Sequence, residues 1–527
     1  VGDLLAGYGS NREHGVLSKA FDEVVDPSGR VRPPYADVVA AFAPMSPDDV
    51  AQRAARLARA FVDQGVTFDL DGEERPFPLD VMPRVFSATE WATVAEGVRQ
   101  RIRALEAFLA DVYGPGRVLD DGVVPAAVVH SAPGFLRPAW GVVPPNGVRI
   151  QVAGIDLVRD EAGQMRVLED NLRCPSGVSY VLANRQAMAQ VLPELFGGQT
   201  IASVGDYPTR LLRALRRAAP IGVAEPNVVV LTPGVYNPAF YEHALLARLM
   251  GVDLVEGRDL VVHGVDVFVR TTDGEVPVHV VYRRVDDDYI DPLHFRPDSL
   301  VGCPGLLNAA RAGRVTIANA VGNGVADDKL LYSYVPDLIR YYLDEDPLLP
   351  NVETFRLVED DARATALRRR RELVFKRVDG SGGKGLVLGP FATEAELEEL
   401  VASVQRNPRA WIAQELVPLS TAPTWVDGEL VPRHVDLRPF AISDGEEIFV
   451  LPGGLTRVAL AKGGLVVNSS QGGGSKDTWV QGGERSLRRR PFVGATRVGP
   501  ASDRPLRPRA EPPDPGPEGH SHAGAQQ

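Results

Sequence analysis

The sequence predicts a multidomain protein of mixed α/β (α+β) class, and three observations carry that prediction. Its 527 residues exceed what one hydrophobic core fills. Residues 148–172 read as two strands around a polar turn. Residues 207–318 run strand, loop, helix, strand, the order of an open α/β unit. The 44% apolar and 24% charged content is ordinary for a globular chain.

The elements follow in order. SATEWATVAEGVRQRIRALEAFLADVYG opens with a Ser cap and a Glu three residues later, then repeats apolar residues at helical spacing. It predicts a long amphipathic helix between Phe86 and Tyr113, ended by Gly114-Pro115-Gly116. Val148–Arg159 and Met165–Leu172 are the two strands, with DEAGQ between them, and a helix follows from about Tyr180 to Leu195. The texture changes near Asp206-Tyr207-Pro208. Val228–Leu231 is a short apolar strand, TPGVYNPAF a loop, and YEHALLARLMG a helix, after which strands and turns alternate as far as VHVVYRR. From Asn319 a third region shows a helix over Asp327–Leu343, strands about a glycine cluster, a helix near Glu394–Val404, and strands to about Val467. The expected domains are therefore 1–206, 207–318 and 319–480. Residues 481–527, rich in Pro, Arg and Gly, are expected to be disordered.

Composition narrows the function. A net charge of −12 argues against nucleic-acid binding, which needs a basic surface. No apolar run approaches the roughly 20 residues that span a bilayer, and VGDLLAGYGSNREHG lacks the charged-then-apolar order of a signal peptide. The expected compartment is the cytosol. Cys174 and Cys303 make neither a disulfide framework nor a metal spacing and read as small hydrophobes.

The glycine cluster lies in LVFKRVDGSGGKGLVL, where Gly380, Gly382 and Gly385 match G-x-G-x-x-G. A dinucleotide fold and a Walker loop both need a helix next, whereas Leu386-Val387-Leu388 is a strand. A kinase loop would require H-R-D and D-F-G segments, and neither occurs. What remains is a strand-loop-strand flap, Gly380-Ser381-Gly382-Gly383 at its tip, whose backbone amides can close over phosphates. A plain hairpin tip is the alternative. Lys376 sits on the strand entering it. Downstream, WIAQELVPL carries Gln414, Glu415 and Val417 on a strand that either meets an adenine edge or is an ordinary core strand.

The most informative geometry is the hairpin. A turn centred between Ala162 and Gly163 sets Asp156 opposite Glu169, with Asn171 on the same face as Glu169. Like charges facing across a sheet repel, so a cation between them is expected. An all-oxygen set with few protein donors suits Mg²⁺. The alternative is a register one residue off, leaving solvated surface groups. Arg173 follows, placed either to bind a carboxylate or phosphate or to pair with Asp170.

Asp156, the EDN at Glu169, PSG at Pro175, GNGVADDK ending at Lys329, the Lys376 strand with its flap, QELV at Gln414 and HVDLRPF at His434 together resemble the circularly permuted ATP-grasp proteins, relatives of glutathionylspermidine synthetase. The likeness spans about Leu5 to Val480. It implies a circularly permuted ATP-grasp fold with a Rossmann-like pre-ATP-grasp subdomain at 207–318, and ATP and Mg²⁺ as cofactors. By that resemblance Asp156, Glu169 and Asn171 would hold Mg²⁺. Lys329 and Lys376 would contact phosphates, Gly380, Ser381, Gly382 and Gly383 would cover them, and Gln414, Glu415 and Val417 would meet the adenine. Two positions depart from the relative: Gly154 stands where it has Arg, and Arg173 where it has an acidic residue.

The expected activity is Mg-ATP-dependent carboxylate–amine ligation through an acyl phosphate. Arg173, Arg438 and Arg457 are the candidate carboxylate binders, and His434 a candidate for proton transfer. Small-molecule or peptide substrates are expected. A nucleotide-binding partner subunit without turnover, and a small-molecule phosphotransferase, are the alternatives.

Overall fold

The strands Val152–Arg159 and Met165–Asn171 complete a sheet whose other strands all come from beyond residue 420. The computed structural model describes residue 8 and residues 16–70, 73–197, 200–380, 385–460, 464, 467 and 473–482. Ser381, Gly382 and Gly383, and residues 483–527 of the tail expected to be disordered from 481, lie outside the described residues. Gln481 and Gly482 are ordered, their N–H groups donating to Phe86 O and Thr200 O at 2.9 Å. The sheet runs Gly474–Lys476, Ile448–Val458, Glu429–Ser443, Val152–Arg159, Met165–Asn171, with Thr421–Val426 on the first half of the Glu429–Ser443 strand. Every neighbouring pair is antiparallel. Strands far apart in the chain are thus laid side by side, the topology that a permutation produces.

The hairpin register holds at the predicted pair for a reason the sequence does not show. Asp156 faces Glu169 and Gly154 faces Asn171, but Leu157 faces Val167 and Arg159 faces Met165. The turn is therefore centred on Ala162, and a β-bulge at Leu168 brings Asp156 back opposite Glu169. Leu168 packs with Val417 against Val158, Val352 and Leu419, and that apolar contact favours the bulge. The first strand begins at Val152 rather than Val148.

Two further sheets flank the first. Thr354–Arg356, Trp411–Glu415, Leu373–Arg377 and Val387–Leu388 form an antiparallel sheet. Leu373, Phe375 and Ala413 bury against Ala366, Leu397, Leu400 and Val404 of the helices Asp360–Arg368 and Glu394–Arg406. In the second, Asp253–Val255, Val228–Leu231, Val280–Arg283 and Thr316–Ala318 run parallel in that spatial order. A separate antiparallel sheet takes up Leu260–His263, Asp266–Thr271 and Gly274–Val278. The helix expected over Asp327–Leu343 is two, Lys329–Tyr332 and Val335–Leu343, because Pro336 suits only the first turn of a new helix. The WIAQELVPL strand stops at Glu415.

The hairpin is anchored from two sides. Ser87 caps the helix Ala88–Val112 by accepting from Glu90 N at 3.2 Å, while the Glu90 carboxylate turns away from the cap to the buried Arg159 at 2.5 Å. From the same helix Arg101 forks onto Asp170 at 2.6 and 2.8 Å, both side chains buried. This settles Asp170, which does not pair with Arg173. Asn319 accepts from Val152 N and donates to Val152 O and Leu172 O at 2.7–2.9 Å, tying both strands at one end. Among the described residues no helix is long and apolar enough to cross a membrane. Because Arg101→Ala strands a buried carboxylate, it is expected to cost about 3–5 kcal/mol, read as a lowered urea midpoint at unchanged m-value.

Candidate functional site

The groups that converge sit where the central sheet meets the Leu373–Arg377 strand. Asp436 faces Arg457 directly in the register of the Glu429–Ser443 and Ile448–Val458 strands. Arg438, two residues on and therefore on the same face, lies beside Asp156 because Leu437 pairs with Leu157. The result is a chain of alternating charge. Arg438 grips Asp156 with Nε at 2.5 Å from Oδ1 and Nη2 at 2.8 Å from Oδ2. Arg457 Nη2 donates to Asp156 Oδ2 at 2.6 Å, and its Nε to Asp436 Oδ1 at 2.9 Å. Burial alone would raise the Asp156 carboxyl, but Arg438 and Arg457 hold it well below the usual carboxylate range. For Asp436 burial prevails and the shift is upward.

Glu169 looks to the lysines. Lys329 Nζ stands 3.3 Å from its Oε2 and donates to Gly380 O at 2.6 Å. Lys329 opens a short helix capped by Asp328, whose carboxylate accepts from Leu330 N and pairs with Arg409 at 2.7 Å. Lys376, on its own strand, is pushed down to about 8 by burial and by Lys329, against the opposing pull of Glu169 and Asp156. Asn171 directs Nδ2 at Asp156 Oδ1, 3.5 Å away. Asp156, Glu169 and Asn171 are the oxygen donors that could hold Mg²⁺ here beside two lysines, although both Asp156 oxygens are bonded to Arg438 and Arg457 as the site stands.

Gln414 continues this site along the strand paired with that of Lys376. It is buried and donates to Thr354 Oγ1 at 3.0 Å, while its Oε1 has no hydrogen-bond partner among the described residues. An orphaned buried acceptor of that kind is available to a ligand. Glu415 spends its carboxylate on Arg369 at 2.7 and 3.1 Å and its N–H on Glu353 O. Val417 packs in the small apolar cluster with Leu168.

A model of the circularly permuted ATP-grasp type 2 family matches residues 83–459. The chain belongs to that family. An uncharacterized protein of Mycobacterium tuberculosis (strain ATCC 25618 / H37Rv) is 58% identical over 473 residues, 90% of this chain and 86% of its own. A Frankia alni protein provisionally named glutamate--cysteine ligase 2-3 is 46% identical over 464 residues, 87% of this chain and 54% of its own length. A solved glutathione synthetase-like effector from Globodera pallida superposes with a TM-score of 0.54 at 11% identity, covering 83% of this chain and 98% of that one. It shares the fold.

Within this ATP-grasp chain, Arg173 stands apart from the charge chain. Its Nε bonds Asp327 at 2.9 Å and its Nη1 lies 3.5 Å from Asp286, with the side chain 40% exposed. Asp327, which also accepts from Leu172 N, is raised to about 6 by burial despite Arg173. His434 is buried with Nδ1 2.7 Å from Leu419 O, a position that orders the linker after Glu415. Asp436 was not singled out from the sequence. Its signal is the D-x-R spacing of HVDLRPF, which puts two opposite charges on one strand face. Asn319 gave no comparable signal. With Lys376 held down, competitive acetylation read by mass spectrometry is expected to show its midpoint near pH 8, against about 10.4 for an unperturbed lysine. Glu169→Gln removes a raising charge and should move that midpoint lower still.

Proposed function

We propose that this chain is an Mg-ATP-dependent carboxylate–amine ligase, forming an amide through an acyl phosphate on small-molecule or peptide-like substrates in the cytosol. The observation that carries the reading is the meeting of Glu169 with Lys329 and Lys376, with Arg438 beside them. Family membership supports ATP as the co-substrate, and the name of the Frankia relative supports ligation.

In this scheme Glu169, Asn171 and Asp156 would hold Mg²⁺, which when bound would neutralise phosphate charge. Lys329 and Lys376 carry positive charge to the phosphate oxygens, and Gly380 to Gly383 cover them. Gln414, Glu415 and Val417 receive the adenine, the first through its orphaned Oε1 and the others through backbone and apolar surface. Arg438, between the γ-phosphoryl group and the substrate, orients the attacking carboxylate, whose oxygen bonds to the γ-phosphorus as ADP departs. Arg457 acts through Asp156, which it holds in place. The substrate amine then attacks the acyl carbon and loses a proton, and phosphate leaves. Arg173, partly exposed and held by Asp327 and Asp286, is assigned to the incoming substrate. These steps rest on positioning and charge stabilisation rather than on a protein nucleophile.

The clamp on Asp156 favours one second reading, a nucleotide-binding subunit without turnover. Calorimetry separates the two when joined to phosphate release. Wild type is expected to bind ATP in a Mg²⁺-dependent manner. Glu169→Ala and Lys376→Ala should each weaken binding about ten- to a hundredfold, the value of a hydrogen bond to a charged group. Phosphate release that requires both a carboxylate and an amine would mark the ligase. ATP binding with no release across such a screen would leave the binding subunit, and a phosphorylated product would mark a phosphotransferase.

A further inference from the structure

As the site stands, both oxygens of Asp156 are engaged. Oδ1 lies 2.5 Å from Arg438 Nε, and Oδ2 lies 2.8 Å from Arg438 Nη2 and 2.6 Å from Arg457 Nη2. Arg438 Nη2 also comes to 3.9 Å from Glu169 Oε1, and Arg438 Nη1 donates to Ser176 O at 3.1 Å. The guanidinium therefore spans the gap between two carboxylates that face each other across the hairpin. The Asn171 amide lies 3.5 Å from Asp156 Oδ1 on the same side of the hairpin.

Gly154 gives the guanidinium its lane. A Cβ there would stand 3.2 Å from Arg438 Cδ and 3.1 Å from Pro175 Cβ, tighter than ordinary contact. The charges also set a condition. Lys329, Lys376, Arg438 and Arg457 face Asp156, Glu169 and Asp436, four positive against three negative, an excess of one positive charge. A bare divalent cation meets repulsion in such a set, whereas one carried on a polyphosphate brings a net negative charge.

Resting on the assignment of this hairpin to Mg-ATP, we infer that Arg438 is a resident counter-cation that fills the metal's place between Asp156 and Glu169 until nucleotide enters. A polyphosphate gives its guanidinium a new anionic partner, so Asp156 is released to the metal in the same event. Arg457 remains on Asp436 and keeps Asp156 in position throughout. Metal and nucleotide are thereby coupled, because a free metal ion does not take its place ahead of the nucleotide.

Calorimetric titration of the full chain with MnCl₂ alone, and with the preformed Mn²⁺ complex of a non-hydrolysable ATP analogue, tests this. Wild type is expected to take up the complex and to bind Mn²⁺ alone at least tenfold more weakly than Arg438→Gln does. Arg438→Lys, which keeps the charge, should remain as poor a binder of bare Mn²⁺ as wild type. Circular dichroism matched to wild type qualifies each variant. Tight binding of bare Mn²⁺ by wild type, no gain in Arg438→Gln, or a gain in Arg438→Lys equal to that in the Gln variant would each overturn the inference. Wild type that binds neither the complex nor the metal would overturn the nucleotide assignment beneath it as well, so the two failures are told apart.

Discussion

Asp156 is a carboxylate with almost no access to water, and its charge survives there because two guanidinium groups from other strands reach it. Taking an ion out of water costs several kcal/mol unless paired groups compensate. The compensation exists only when Val152–Arg159 lies against Glu429–Ser443 and that strand lies against Ile448–Val458. Sheet order, register and charge therefore specify one another. A slip of one residue in either pairing would turn Arg438 or Arg457 to the opposite face and leave Asp156 uncompensated.

The second half of the site hangs on this arrangement through small contacts. Lys329 bridges Glu169 on the hairpin to Gly380, where the glycine cluster begins. Leu168 and Val417 share one apolar cluster, which links the hairpin to the segment after Glu415. Asn319 joins the last strand of the parallel sheet to both strands of the hairpin. Each of these places a residue of one region against the hairpin, which is why groups on separate sheets share one patch.

Much of this was legible in the sequence, and the remainder was hidden for identifiable reasons. The long helix, the hairpin and the strands about the glycine cluster follow from spacing and caps, which are local properties. The opposition of Asp156 to Glu169 was legible as well, although its cause differs, since a bulge at Leu168 corrects a turn centred on Ala162. The break at Pro336 was readable from proline chemistry but masked by the apolar run around it. Arg438 and Arg457 were legible as cations near the site, not as partners of Asp156, because partnership across strands depends on register. Arg173 showed its charge in the sequence and not its direction, which Asp327 and Asp286 decide. The tip of the flap, Ser381 to Gly383, lies outside the described residues, and its part in the site rests on the sequence alone.

The order of the strands also has a consequence for how the chain is made. Asp156 and Arg438 are separated by 282 positions, an interval of roughly 15 to 55 s at ordinary rates of synthesis. Through that interval the Val152–Arg159 strand has one neighbour and an open edge, the kind of edge that invites pairing with the wrong chain. A lone carboxylate costs free energy to bury, so a dry partner without cations is disfavoured on that strand. The residue that stands at the centre of the finished site is thus also the keeper of an unfinished sheet.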